Sequence, residues 1–80
     1  MVGVYLTSID ELSKTGKKQL EDGEYSNALN SFQKAISLNE GDPDLWNLKG
    51  IALRSLGRYN EAIECFNRSL EIDPRDKNSS

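Results

Sequence analysis

The sequence of 80 residues contains no histidine and a single cysteine. Without histidine the chain cannot build a Ser-His-Asp or Cys-His catalytic set, and a Cys/His zinc site is excluded as well. One cysteine cannot form an internal disulfide framework. No apolar run is long enough to span a bilayer, and the first residues, MVGVYLTSIDELSK, lack the basic and apolar regions of a secretory signal. We therefore expect a cytoplasmic protein, not an enzyme, that has no membrane partner and needs no cofactor or metal.

The chain also lacks a surplus of basic residues. It has 10 Lys and Arg and 13 Asp and Glu, so its formal net charge is −3. Proteins that bind nucleic acid usually carry a basic surplus or a basic stripe, so the composition argues against a nucleic-acid partner. A chain of this length forms one small domain or a few structural repeats.

An internal repeat is the strongest pattern in the sequence. The segment GEYSNALNSFQKAISLNE begins at Gly23, and the similar segment GRYNEAIECFNRSLEIDP begins at Gly57, which gives a period of 57 − 23 = 34 residues. Identical residues that pair at this period are Gly16 with Gly50, Tyr25 with Tyr59, Ala28 with Ala62 and Phe32 with Phe66. The register predicts a lead-in of residues 1–8, repeats at 9–42 and 43–76, and a polar tail at 77–80.

Each repeat is predicted to form two helices, because its apolar residues recur at helical spacing. The predicted helices span residues 8–22, about 26–39, 43–56 and about 60–72, with Gly23, Gly57 and Asp73-Pro74 among their stop signals. Ser8 followed by Glu11 is a capping-box pattern and predicts that the first helix begins at Ser8. Asp42 is the predicted N-cap of the third helix, and Pro43 takes its first helical position.

Two glycines lie in the middle of predicted helices. Gly16 and Gly50 each cost about 1 kcal/mol relative to alanine at such positions. Because this cost recurs at the repeat period, we expect the two helices of a repeat to cross closely there. Small residues of the second helices, Ala28 and Ala62, would permit the close approach, with the two repeated phenylalanines filling the space between layers.

These residues resemble the tetratricopeptide repeat, whose pattern is Trp-x2-Leu-Gly-x2-Tyr, then Ala-x3-Phe, then Pro, over about 34 residues. The second repeat matches it at Trp46, Gly50, Ala62, Phe66 and Pro74, and departs at Lys49 and Leu53. The first repeat keeps Gly16, Tyr25, Ala28 and Phe32 but has Leu12 for Trp and Glu40 for Pro. The resemblance covers residues 9–76. It implies an all-α fold of two tandem helix-turn-helix repeats, a short right-handed α-solenoid of four helices.

The resemblance also implies a function. In this family the first helix of each repeat lines a concave groove that holds a peptide or helix of another protein. The chain is therefore expected to be a non-catalytic protein–protein interaction module with a protein or peptide partner. The groove residues implied by the resemblance are Asp10, Ser13, Lys17, Leu20, Asp44, Asn47, Ile51 and Arg54. A subfamily binds chaperone carboxylates through a Lys and two Asn, but this chain has Ser13, Lys17 and Leu48 at those positions, so that clamp is not expected.

The two ends of the repeat pair differ. The third helix has a mostly apolar stripe, and its equivalents in the first helix are all polar: Leu45, Lys49, Ala52 and Leu56 against Glu11, Thr15, Lys18 and Asp22. A capping repeat needs such a polar face. At the other end no predicted helix follows to cover Ile63, Phe66 and Leu70. Either the sequence is part of a longer array, or this face joins copies into a homodimer or higher oligomer. An accessory subunit that regulates an enzyme is a further alternative.

Two smaller features have structural interpretations. Cys65 follows the helical spacing of the last helix and is predicted to be a partly buried packing residue rather than a reactive thiol. The lysines at 14, 17 and 18 form a basic patch, which we expect to be a solvated face balanced by nearby carboxylates through i,i+3 and i,i+4 pairs.

Overall fold

The computed structural model describes the backbone of residues 3–73 and the side chains of residues 9–73. Its helices are α1 (Gly3–Glu21), α2 (Tyr25–Leu38), α3 (Pro43–Ser55) and α4 (Tyr59–Ile72). α1 packs on α2, α3 packs on α4, and α2 also packs on α3, whereas α1 and α3 touch only briefly. Two helical hairpins are therefore stacked side by side, which confirms the predicted all-α helix-turn-helix repeat. The predicted stop at Pro74 and the tail at 77–80 lie outside the described residues.

The turn inside each hairpin is closed in the same way in both repeats. Gly23 and Gly57 have φ angles of 81° and 82°, which glycine adopts without a steric penalty. In the first hairpin the Glu24 amide donates to the Gln19 carbonyl at 2.8 Å, and the Gly23 amide donates to the Leu20 carbonyl at 3.2 Å. In the second hairpin the Arg58 amide donates to the Leu53 carbonyl at 2.9 Å, and the Gly57 amide donates to the Arg54 carbonyl at 3.0 Å. This pair of bonds is the Schellman motif, which satisfies the last carbonyls of a helix. The predicted glycine stop signals are confirmed at both turns.

The connection between the repeats fixes the start of α3. The Asp42 carboxylate accepts a hydrogen bond of 3.0 Å from the Asp44 amide, and Pro43 follows as the first helical residue. The Trp46 indole N–H donates to the Glu40 carbonyl at 2.9 Å and so ties the loop back onto α3. The predicted N-cap is confirmed, and the indole adds a second tether that the cap pattern does not reveal.

α1 begins at Gly3, so the helix start predicted at Ser8 is wrong. Ser8 can cap a helix only if the chain leaves helical geometry at that residue. Residues 4–7 contain neither Pro nor Gly, and adding residues to a helix that has already nucleated costs little. Residues 3–7 therefore continue α1, while the start of the first repeat at residue 9 stays a prediction.

The core lies along α2, between α1 on one side and the second hairpin on the other. Its buried residues form one cluster of Ala28, Leu29, Phe32, Ala52, Leu53, Ala62 and Cys65 and a second of Ala35, Ile36 and Leu45. Trp46 packs against both clusters. Full burial of a large apolar side chain such as Leu45 or Leu53 contributes about 1.5–3 kcal/mol, so these residues contribute strongly to the stacking of the two hairpins.

The mid-helix glycines make room for phenylalanine rings. A Cβ atom at Gly16 would lie 2.5 Å from a ring carbon of Phe32, and one at Gly50 would lie 2.6 Å from a ring carbon of Phe66. The predicted close approach is therefore present in both repeats. The nearest neighbours of both glycines are ring atoms of the two repeated phenylalanines, while the role of the alanines in the close approach stays a prediction.

Candidate functional site

The eight predicted groove residues all lie outside the buried core. The exposed ones are Asp10, Lys17, Asp44, Asn47 and Arg54, and the half-buried ones are Ser13, Leu20 and Ile51. They are carried by α1 and α3, which touch each other, so the two helices form neighbouring strips of surface. Leu20 also packs against the larger core cluster. Among the described side chains, the ion pairs involve none of the four charged groove residues.

A cleft of about 300 Å³ opens between α2, α3 and α4. It is lined by Gln33, Trp46, Lys49, Leu53, Glu61, Glu64, Cys65 and Arg68. At 3.6 residues per turn, its α3 residues point about 150° away from the predicted groove residues of the same helix. Sequence reasoning did not find this cleft. The signal for it was Lys49, which stands where the family pattern has leucine.

Two cations flank the indole of Trp46 in this cleft. The Lys49 ammonium nitrogen lies 5.3 Å from the ring centroid, and the Arg68 guanidinium carbon lies 5.6 Å from it. Such contacts contribute about 0.5–1 kcal/mol each at exposed sites. The lysine that departs from the family pattern therefore keeps a packing role, because its stem and charge lie against the tryptophan.

Cys65 forms part of the wall of the cleft, and its residue is buried. Burial raises the pKa of its thiol, with smaller contributions in the same direction from Glu64 and Glu61, while Lys49 acts to lower it. A thiol with a raised pKa carries little thiolate at neutral pH and is a poor nucleophile. The predicted packing role of Cys65 is confirmed, and the residue is more deeply buried than the sequence predicted.

The ion pairs on the surface differ from those expected. Arg58 donates to both carboxylate oxygens of Glu61, at 2.7 and 2.8 Å, and this contact lowers the pKa of Glu61 and raises that of Arg58. A looser pair joins Arg68 and Glu71 at 3.5 Å. On α1, no ion pair joins the lysines at 14, 17 and 18 to the described carboxylates, so the predicted charge balance by local pairing is wrong. The lysines are exposed, and water solvates them.

The predicted self-association residues show the clearest difference between the repeats. Ile63 is 55% exposed, whereas its repeat equivalent Leu29 is 8% exposed. Phe66 and Leu70 are half-buried, while their equivalents in α2 are at most 7% exposed. α3 covers this face of α2, and no other helix in the described range covers the same face of α4.

Neither a metal centre nor a membrane span is found in the part of the chain that the structure describes. Its His, Cys, Asp and Glu residues form no group of three or more that could hold a metal ion. None of its helices is long and apolar enough to cross a membrane.

Stacked helical hairpins with the same turn and the same glycine–phenylalanine contact define an α-helical repeat protein. The family model of the tetratricopeptide repeat matches residues 43–76. An uncharacterised protein from Methanocaldococcus jannaschii is 47% identical over 60 residues, which make up 75% of this chain and 70% of that protein. The chain belongs to the tetratricopeptide repeat family, whose members are protein–protein interaction modules.

Other relatives match over a smaller part of their own length. The photosystem I assembly protein Ycf3 of Rippkaea orientalis is 35% identical over 66 residues, which are 78% of this chain and 38% of that protein. The small glutamine-rich tetratricopeptide repeat-containing protein 2 of Mycosarcoma maydis is 27% identical over 70 residues, 88% of this chain and 20% of that protein. The chain thus spans well under two thirds of both proteins.

Proposed function

We propose that the chain binds a peptide or helix of a partner protein on the adjoining outer faces of α1 and α3. This surface, called the groove below, consists of Asp10, Ser13, Lys17, Leu20, Asp44, Asn47, Ile51 and Arg54. One observation carries the proposal: the same four repeat positions stay out of the core in both repeats. A helix face whose side chains stay exposed or half-buried, and whose charges form no ion pair among the described residues, is available to a partner, and the family supplies partners of this kind.

The chemistry of the groove suggests what the partner segment carries. Each helix has its anion first, Asp10 or Asp44, and its cation about two to three turns later, Lys17 or Arg54. Half-buried apolar side chains lie in the same strips. A complementary peptide would place an apolar anchor against these side chains, with charges of both signs on either side of it. Complementary charges of this kind set orientation and specificity more than affinity.

The affinity of such a groove should be modest. Stable protein–protein interfaces contain about 20–30 residues on each side, and the groove has only eight. We therefore expect micromolar or weaker binding to a single peptide.

A peptide selection tests the proposal. Peptides would be selected from a displayed random library against the purified 80-residue chain, and their affinities measured by isothermal titration calorimetry. The double variant Asn47→Ala/Arg54→Glu should weaken binding about tenfold or more, which corresponds to about 1.4 kcal/mol. Both residues are exposed, so the fold should be unaffected.

The matched control is Asn30→Ala/Lys34→Glu. It makes the same chemical changes at two exposed residues of α2, a helix that contributes nothing to the groove. It should leave peptide affinity unchanged. If the control weakened binding as much as the groove variant, or if the groove variant bound normally, the partner site would have to lie elsewhere.

A further inference from the structure

The outer face of α4 is an apolar stripe made of Tyr59, Ile63, Phe66 and Leu70, called the α4 stripe below. Tyr59 is 63% exposed and Ile63 is 55% exposed. The same stripe exists on α2, where its last three residues are at most 8% exposed because α1 and α3 pack over them. The fold therefore builds one helix-binding surface twice. It covers the first copy of that surface, and no described helix covers the second.

The α4 stripe is free of charge. At 3.6 residues per turn, the charged residues of α4 lie on the other side of the helix, about 150° away: Glu61, Glu64, Arg68 and Glu71. The residues that flank the stripe, Asn60 and Asn67, are polar but neutral. A partner surface that carries charge would lose its hydration here and find no opposite charge in return. The stripe therefore fits a surface that is itself apolar and uncharged.

A second copy could approach the stripe in two ways, and one of them fails. In head-to-tail stacking, α1 of the second copy would take the place that α3 takes over α2. α1 presents exposed polar residues at the positions by which α3 packs: Glu11, Thr15, Lys18 and Asp22. Burying three charged groups against an apolar stripe without partners is costly. Among the side chains that the structure describes, the surface of a second copy that matches the stripe is the stripe itself.

We propose that two copies of the chain pair through their α4 stripes about a two-fold axis. The two helices run antiparallel, so that Ile63 of one copy packs against Leu70 of the other, and the axis passes close to Phe66 and Asn67. Such an isologous contact places no like charges opposite each other, because the stripe has none. This pairing is independent of the groove, since the two surfaces share no residue.

The pairing can be tested by measuring absolute mass with light scattering after size-exclusion chromatography, at concentrations from low micromolar to millimolar. The wild-type mass should rise from the 9.0 kDa of one chain toward twice that value. Ile63→Asp should raise the dimer dissociation constant by about 30-fold or more, because each dimer contains the change twice. The control Leu38→Asp makes the same kind of change at a leucine that is 51% exposed on α2, and it should dimerise normally. Circular dichroism would verify that both variants fold.

Cross-linking tests the two-fold arrangement itself. In a Cys65→Ala background, Asn67→Cys places one thiol of each copy near the axis, within reach of a bis-maleimide that spans the roughly 8–10 Å between packed helices. It should give a covalent dimer, whereas Asn30→Cys on α2 should not. The proposal would be overturned if the chain were a monomer at every concentration or if the dimer survived Ile63→Asp. It would also be overturned if Leu38→Asp weakened the dimer as much as Ile63→Asp, or if Asn67→Cys failed to cross-link.

Discussion

Replacing Gly16 by alanine should destabilise the protein, whereas the equivalent change at Gly50 should not. Each glycine lies against a phenylalanine ring. A Cβ atom added at Gly16 would lie 2.5 Å from the ring of Phe32, and one added at Gly50 would lie 2.6 Å from the ring of Phe66. The rings differ in their freedom to move. Phe32 is fully buried, at 0% exposure, while Phe66 is half-buried on the uncovered face of α4.

The free energies of unfolding can be worked out from these two situations. Both changes gain about 1 kcal/mol from the better helix propensity of alanine. At Gly16 the buried ring cannot leave, so overpacking costs about 1–3 kcal/mol and the net loss is about 1 kcal/mol. At Gly50 the ring can rotate outward at a cost of about 0.5–1.5 kcal/mol, which leaves the stability close to that of the wild type.

Urea unfolding followed by circular dichroism would measure the difference. A small domain has an m value of about 1 kcal/mol/M, so the two variants should differ in their urea midpoints by about 1 M. Gly41→Ala is the control, because no atom lies closer than 3.7 Å to its new Cβ and it should unfold at the wild-type midpoint. Measurements at low micromolar concentration keep pairing through α4 from holding Phe66 in place. If Gly16→Ala were as stable as Gly50→Ala, the argument that burial of the ring decides the cost would be refuted.

Three further predictions concern single contacts. Ser31→Ala removes the 2.8 Å hydrogen bond from the Ser31 hydroxyl to Gln19 and should cost about 1–2 kcal/mol in urea unfolding, whereas Gln19→Leu/Ser31→Cys, which copies the second repeat, should be close to neutral. The thiol of Cys65 should react with a disulfide reagent at pH 8 many times more slowly in the folded chain than in urea, because burial raises its pKa above the ordinary value near 9.0; equal rates would contradict this. Arg58 lowers the pKa of Glu61, so this contact should stabilise the fold at pH values above the ordinary pKa near 4.5 and lose its effect as the pH falls through the lowered pKa. The free energy of unfolding should therefore change less with acid pH in Glu61→Gln than in the wild type. Identical pH dependence in the two proteins would exclude the contribution.

The parts of the fold that depend on short-range patterns could be predicted from the sequence. The period of 34 residues, the glycine turns and the Asp42 cap each follow from residues close together in the chain. The capping box at Ser8 failed for the same reason, because a four-residue pattern does not reveal whether the preceding residues are already helical. The fold class was predictable because repetition supplied two independent examples of each signal.

The cleft and the polar contact at Gln19 could not be predicted, because their residues meet only after the helices pack. Gln19 stands where the family pattern has tyrosine, but its hydrogen-bond partner Ser31 lies 12 residues away on α2. Likewise, Lys49 was visible as a departure, while its position over Trp46 depends on how α3 is placed beside α4. The groove residues came from the family resemblance.

Repetition of one hairpin explains why this small protein has two separate surfaces available. The positions that line the groove are repeated on α1 and α3, so stacking the hairpins extends that surface without covering it. The positions of the α4 stripe are used by stacking itself, so the first stripe is buried in the core, while no described helix covers the second. Pairing through α4 would bury the stripe and leave two grooves on one particle. A partner with two binding segments would then gain from effective concentration, which offsets the modest affinity expected of a groove built from two helices.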